Sequence, residues 1–102
     1  MHARMFTATI QPGKAAEARS VVSRVSRRVL DEPGCLGVQI LESNEEIVGI
    51  TTWEGLDQLR AFVDGDLSKE LFSEILPLLM GAPATSTYEV VVGERAGGGA
   101  LA

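Results

Sequence analysis

The order of elements predicts an α+β fold, one four-stranded antiparallel sheet with helices on one face, threaded β-α-β-β-α-β. Three observations carry this. A strand-like run, Arg4 to Ile10, is cut by Pro12-Gly13. A helix-length segment with one apolar stripe then runs to Glu32-Pro33-Gly34. Two strand-like runs joined by a polar turn come next, followed by a second helical region and a β-branched last strand.

The first strand covers roughly residues 3–11. Period two puts Met5, Thr7 and Thr9 on one face and Phe6, Ala8 and Ile10 on the other. Pro12 and Gly13 punctuate its end. The first helix is expected from Ala15 to Leu30, because Ala18, Val21, Val22, Val25 and Val29 recur at helical spacing. Arg19, Arg24, Arg27 and Arg28 fall on its wet side. Pro33 forces Glu32 out of helical geometry, and Gly34 can take the left-handed conformation that closes a helix end.

The second strand is Leu36 to Glu42 and the third Glu46 to Trp53, with Ser43-Asn44-Glu45 as the turn. On the third, Ile47, Gly49, Thr51 and Trp53 share a face. Leu56, Leu59, Phe62 and Val63 make the apolar side of a second helix, interrupted at Asp64-Gly65-Asp66. Asp66 is expected to cap a further helix that carries Leu67, Leu71, Ile75, Leu78 and Leu79. Pro77 should reset its last turn. The final strand is read as Thr85 to Val92.

Right-handed crossovers land both helical layers on the same side of the sheet. The other face then exposes residues drawn from Phe6 or Thr7, Val38 or Ile40, Val48 or Ile50, and Val90 or Val91. That much apolar surface exceeds what monomers usually leave in water. A homodimer packed sheet against sheet is expected.

The 102 residues suit one domain, assigned to 1–94, with Gly-rich 95–102 as a flexible tail. An apolar content of 45% excludes disorder. A net charge of −5 argues against nucleic acid as a partner, since phosphate binding needs a basic surface. One cysteine, Cys35, cannot make an internal disulfide. Neither a signal peptide nor a membrane-spanning run is read from the sequence, so a cytoplasmic location without membrane partners is expected.

Four pieces in order carry a resemblance: Ile10-Gln11-Pro12-Gly13-Lys14, Glu32-Pro33-Gly34-Cys35-Leu36-Gly37, Thr52-Trp53-Glu54 and Leu76-Pro77-Leu78-Leu79-Met80-Gly81. With them the chain, from about Met5 to Val92, resembles the antibiotic biosynthesis monooxygenase domain of the dimeric α/β-barrel superfamily. That resemblance implies a ferredoxin-like protomer, pairing as a dimeric α+β barrel, with a ligand pocket between sheet and helices of each protomer. It also implies cofactor-independent oxygenation of an aromatic or quinol-type small molecule. The alternative is a non-catalytic small-molecule-binding or accessory protein of the same fold.

Haem-degrading relatives carry an asparagine on the first strand, and a tryptophan and a histidine on the helical region after the third. Thr7, Phe62 and Phe72 stand at those positions here. The only histidine is His2, so no haem and no other cofactor is expected. Some monooxygenase-like members have an asparagine where this chain has Gly49. A lone His and a lone Cys, far apart, offer no metal site.

In cofactor-free oxygenation the substrate supplies the electrons, and the protein supplies a dry pocket and hydrogen-bond donors. Trp53 and Thr7 are the candidate catalytic donors, with Thr51, Gln39, Arg60 and Tyr88 as further polar candidates. Phe6, Thr51, Leu59, Phe62, Phe72 and Leu76 are the candidate ligand-binding residues, and Met80 a further wall.

Overall fold

Strict alternation along β1 (His2–Thr9) buries Phe6 and Ala8 and leaves Met5 and Thr7 half-buried on the opposite side. The computed structural model describes residues 1–97 and 99–100. Antiparallel pairing joins β1 to β3 (Glu46–Trp53) on one side and to β4 (Ala84–Glu89) on the other, with β2 (Cys35–Glu42) outside β3. The order β2-β3-β1-β4 is that of a ferredoxin-like sheet.

Three helices cover one face: α1 (Ala15–Val29), α2 (Leu56–Asp64) and α3 (Asp66–Ile75), the last followed by a 3-10 turn over Leu76–Leu78 that contains Pro77. The stripe expected on α1 is the buried one: Ala18, Val22, Val25 and Val29. Each of the three valines contributes about 1.5–3 kcal/mol through burial. The arginines of α1 are in water, with Arg19 on Glu42, Arg24 on Glu74 and Arg28 on Glu70. Gly34 turns the chain into β2 at φ +81°. No helix among the described residues is long and apolar enough to cross a membrane.

The core has two halves. Phe6, Ile47, Val22 and Ile75 anchor one, and Trp53, Leu59, Val25 and Val29 the other.

Several expectations are corrected. Asp66 does not cap α3. Gly65, extended at ψ 172°, holds the capping position, and Asp66 is the first helical residue. The last strand stops at Glu89. Glu89 pairs with His2, the first residue of β1, and the Val90 amide donates to the Met1 carbonyl at 2.9 Å. Val91 and Val92 are left exposed.

The open sheet face also has a different composition from the one expected. Phe6, Val38 and Ile40 turn inward, in register with Gly49 and Thr51. The outer face carries Met5, Thr7, Val48, Ile50, Thr52, Gln39, Leu41 and Tyr88, mixing apolar with polar groups. A short ladder pairs Glu94–Arg95 with Gly99–Ala100, and Gly98, Leu101 and Ala102 of the expected tail lie outside the described residues.

Candidate functional site

Period two and the register together set a patterned floor on the helix side of the sheet. In one row Val38, Thr51, Arg4 and Thr87 lie side by side across β2, β3, β1 and β4. In the next come Ile40, Gly49, Phe6 and Thr85. Over these rows, between sheet and helices, lies a cavity of about 60 Å³. Val22, Val25, Ser26 and Val29 of α1 roof it, with Phe62 and Val63 of α2 and Ser68, Leu71 and Phe72 of α3.

Gly49 exists for the sake of Phe6. A β-carbon at residue 49 would stand 2.7 Å from Phe6 Cδ1 and 3.0 Å from Cε1. The phenyl ring occupies the space a side chain there would need, which is why this chain has no room for an asparagine at that position. Phe6 in turn meets Phe72 edge-on, with centroids 6.3 Å apart.

Trp53 is fully buried and stacks on Phe62 at 5.0 Å. Its indole N–H donates to Thr51 Oγ1 at 2.8 Å. Thr51 lines the cavity. Because its oxygen accepts from the indole, its own hydroxyl proton is left to donate elsewhere. Trp53 therefore bears on the cavity through Thr51 and Phe62 rather than as part of the wall.

The site residues expected from sequence divide accordingly. Phe6, Thr51, Phe62 and Phe72 come together in the lining. Thr7 does not reach it: as the chain neighbour of Phe6 it projects from the opposite, open face. Leu59 is buried beside Trp53 in the core, behind the lining. Leu76 sits in the 3-10 turn, exposed and away from the cavity. Gln39 and Tyr88 are on the open face, Arg60 is on the exposed side of α2, and Met80 is exposed.

Sequence reasoning misses four polar residues at the cavity: Arg4, Ser26, Ser68 and Thr85. Two of them carry a signal. Arg4 shares the face of Phe6, two residues along the same strand. Ser26 sits in the α1 stripe, four residues after Val22. Arg4 is the one charged residue among those described in the lining, and its Nη1 donates to Thr87 Oγ1 at 3.1 Å.

The donor set does not suit haem. No histidine lines the cavity, and His2 opens β1 across from Trp53 instead. Among the described residues no three His, Cys, Asp or Glu side chains converge as a metal ion requires. The cavity is also smaller than the roughly 150 Å³ that accommodates benzene in an engineered core. Admitting a ring therefore requires wall side chains to shift, and Phe62 and Phe72 are its half-buried aromatic members.

The fold and this layered cavity define a ferredoxin-like α+β domain with a small aromatic-walled site between its layers. The chain belongs to the antibiotic biosynthesis monooxygenase family, whose model matches residues 1–73. Solved structures agree. A Caulobacter crescentus CB15 protein described as a candidate antibiotic biosynthesis monooxygenase is 26% identical, with 89% of this chain and 90% of that one covered and a TM-score of 0.79. A similarly described Deinococcus radiodurans protein superposes at TM-score 0.83 with 16% identity, over 96% of this chain and all of that one. A Mycobacterium tuberculosis protein matches at TM-score 0.81 with 14% identity, over 92% and 98%. No curated protein matches the chain.

Proposed function

We propose that this chain is a cofactor-independent monooxygenase of a small aromatic or quinol-type molecule. The observation that carries the reading is the cavity: three phenyl rings, Phe6, Phe62 and Phe72, around hydrogen-bond donors held on the rigid sheet, in a chain of this family. The lining described contains no His, Asp, Glu or Cys to act as a base. Such a site suits a substrate that ionises readily and reduces dioxygen itself. At a ring methylene, one dioxygen molecule is consumed, both hydrogens leave the carbon, and the products are a ketone and one water. The carbon gives up four electrons, one oxygen atom becomes the carbonyl and the other leaves as the water, so no external reductant is required. Thr51 donates its hydroxyl to the developing oxyanion, with Trp53 fixing the orientation of that hydroxyl.

The functional unit in this reading is residues 1–94, paired into a homodimer through the open faces of two sheets, in the cytoplasm. Met5, Val48, Ile50, Leu41 and Tyr88 supply its apolar contacts. A binding or accessory role is the second reading, favoured by the small size of the cavity and its lack of a titratable base.

Oxygen uptake with anthrone and hydroquinone substrates tests both. Uptake that falls at least about tenfold in Thr51→Val, and falls in Trp53→Phe, is the expected result. Tight binding of an aromatic ligand with no uptake across a broad panel removes the oxygenase and leaves the binding protein.

A further inference from the structure

We infer that the cavity selects an aryl anion, an apolar ring carrying one ionised oxygen group, and that Arg4 imposes this selection. The inference rests on reading the cavity as a ligand site and goes on to name the charge of its occupant. Lys14, Arg19, Arg24 and Arg28 each sit within 4 Å of a glutamate. Arg4 has no carboxylate at that distance among the described residues; nor have Arg27, Arg60 and Lys69, but these are exposed, whereas Arg4 is half-buried in the lining. It offers five N–H donors, and one bond, to Thr87 Oγ1, is the side-chain contact it makes. The Arg4 side chain is half-buried beside phenylalanine and valine side chains while its bond to Thr87 is exposed, so the guanidinium reaches both the cavity and water and can pair with an anionic oxygen group that a ligand brings in.

The neighbours of Arg4 fit the same occupant. Thr51 and Thr87 flank it directly across β3 and β4, on the same face of the sheet. Thr51 has a hydroxyl proton to give, so an anionic oxygen at this row meets two kinds of donor. Phe6, Phe62 and Phe72 receive the ring. One positive charge in an apolar wall matches one negative charge on an apolar body. A phosphate ester, with two charges and no ring against the phenyls, matches it poorly.

The proposal is tested with 4-nitrophenol, whose absorbance reports its own ionisation, and with neutral nitrobenzene and 4-nitrobenzoate. Binding is followed through the fluorescence of the single tryptophan, Trp53. On the wild-type protein, bound nitrophenol should titrate about one pKa unit or more below the free value, an at least tenfold preference for the phenolate. Arg4→Gln should abolish that shift, and Arg4→Lys should keep most of it. Both variants should bind nitrobenzene as the wild type does, which also shows that they fold. Arg4-dependent binding of 4-nitrobenzoate in preference to nitrobenzene supports the same assignment and marks a carboxylate as the group held. Equal binding of charged and neutral probes, an unchanged shift in Arg4→Gln, or no binding of any probe overturns it. Parallel oxygen-uptake measurements separate the two readings. A pKa shift without uptake ends the oxygenase and keeps the anion site. Uptake that persists in Arg4→Gln with an unchanged pH profile does the reverse.

Discussion

Replacing Gly49 with alanine tests the packing that shapes the cavity. The new methyl would lie 2.7 Å from Phe6 Cδ1, against an ordinary carbon–carbon contact of about 3.5–4.0 Å. The ring must therefore retreat by roughly 1 Å, and the adjacent cavity of about 60 Å³ is the space open to it. Two effects compete. Alanine in a strand interior gains about 0.5–1 kcal/mol over glycine. Overpacking in a core costs about 1–3 kcal/mol. The net expectation is a loss of about 1 kcal/mol, together with weaker ligand binding as Phe6 is driven into the cavity. Urea unfolding at constant m reads the stability change. In a Phe6→Leu background the clash disappears, and Gly49→Ala should become neutral or stabilising by about 0.5 kcal/mol. A Gly49→Ala protein more stable than wild type, or effects of the two substitutions that simply add, would refute the claim that the phenyl ring fills the place of a side chain at 49.

A double-mutant cycle probes the indole bond. Thr51→Val alone strands a buried N–H and should cost about 1–3 kcal/mol, whereas in a Trp53→Phe background it should cost about 1 kcal/mol less; additivity sinks the idea. Burial, aided by the charge of Glu32, raises the pKa of the Cys35 thiol. The fold thus favours the neutral thiol, and the associated stability is present below the ordinary thiol range and lost as pH rises through the raised value. Iodoacetamide should accordingly label Cys35 at higher pH in the native protein than in urea, and coincident profiles would show the thiol to be unshifted. On the proposed sheet-to-sheet pairing, Ile50→Arg, placing a charge in the open sheet face, should shift the sedimentation coefficient from dimer to monomer without loss of helicity; an unchanged coefficient would exclude that face as the interface.

Much of the architecture is readable from spacing alone. The Ala18–Val29 stripe, the Pro33-Gly34 stop and the Ser43-Asn44-Glu45 turn each encode their element locally, and each element forms within a residue or two of where they put it. What fails depends on partners. β4 ends at Glu89, opposite His2 at the start of β1, and the β-branched residues Val90–Val92 do not carry that register. The capping position of α3 passes to Gly65 because the chain between α2 and α3 needs an extended residue there. At the site, Phe6 and Thr7 cannot both face the pocket, because adjacent strand residues point to opposite faces. Phe6, Thr51, Phe62 and Phe72 share hydrophobic or strand-face signals that survive folding. Arg4 escapes notice because a charge at the start of a strand resembles an exposed residue until the register places Thr51 and Thr87 on either side of it.

The central position of β1 has a consequence for how the chain acquires this shape. The strand pairs on one side with β3 and on the other with β4, so that residue 2 lies against residue 89. During synthesis one edge of the first strand must wait for the last, and the row that holds Arg4 between two threonines cannot be completed until Thr87 has left the ribosome. Contacts this distant in sequence slow folding and prolong the time in which unpaired edges are exposed to other chains.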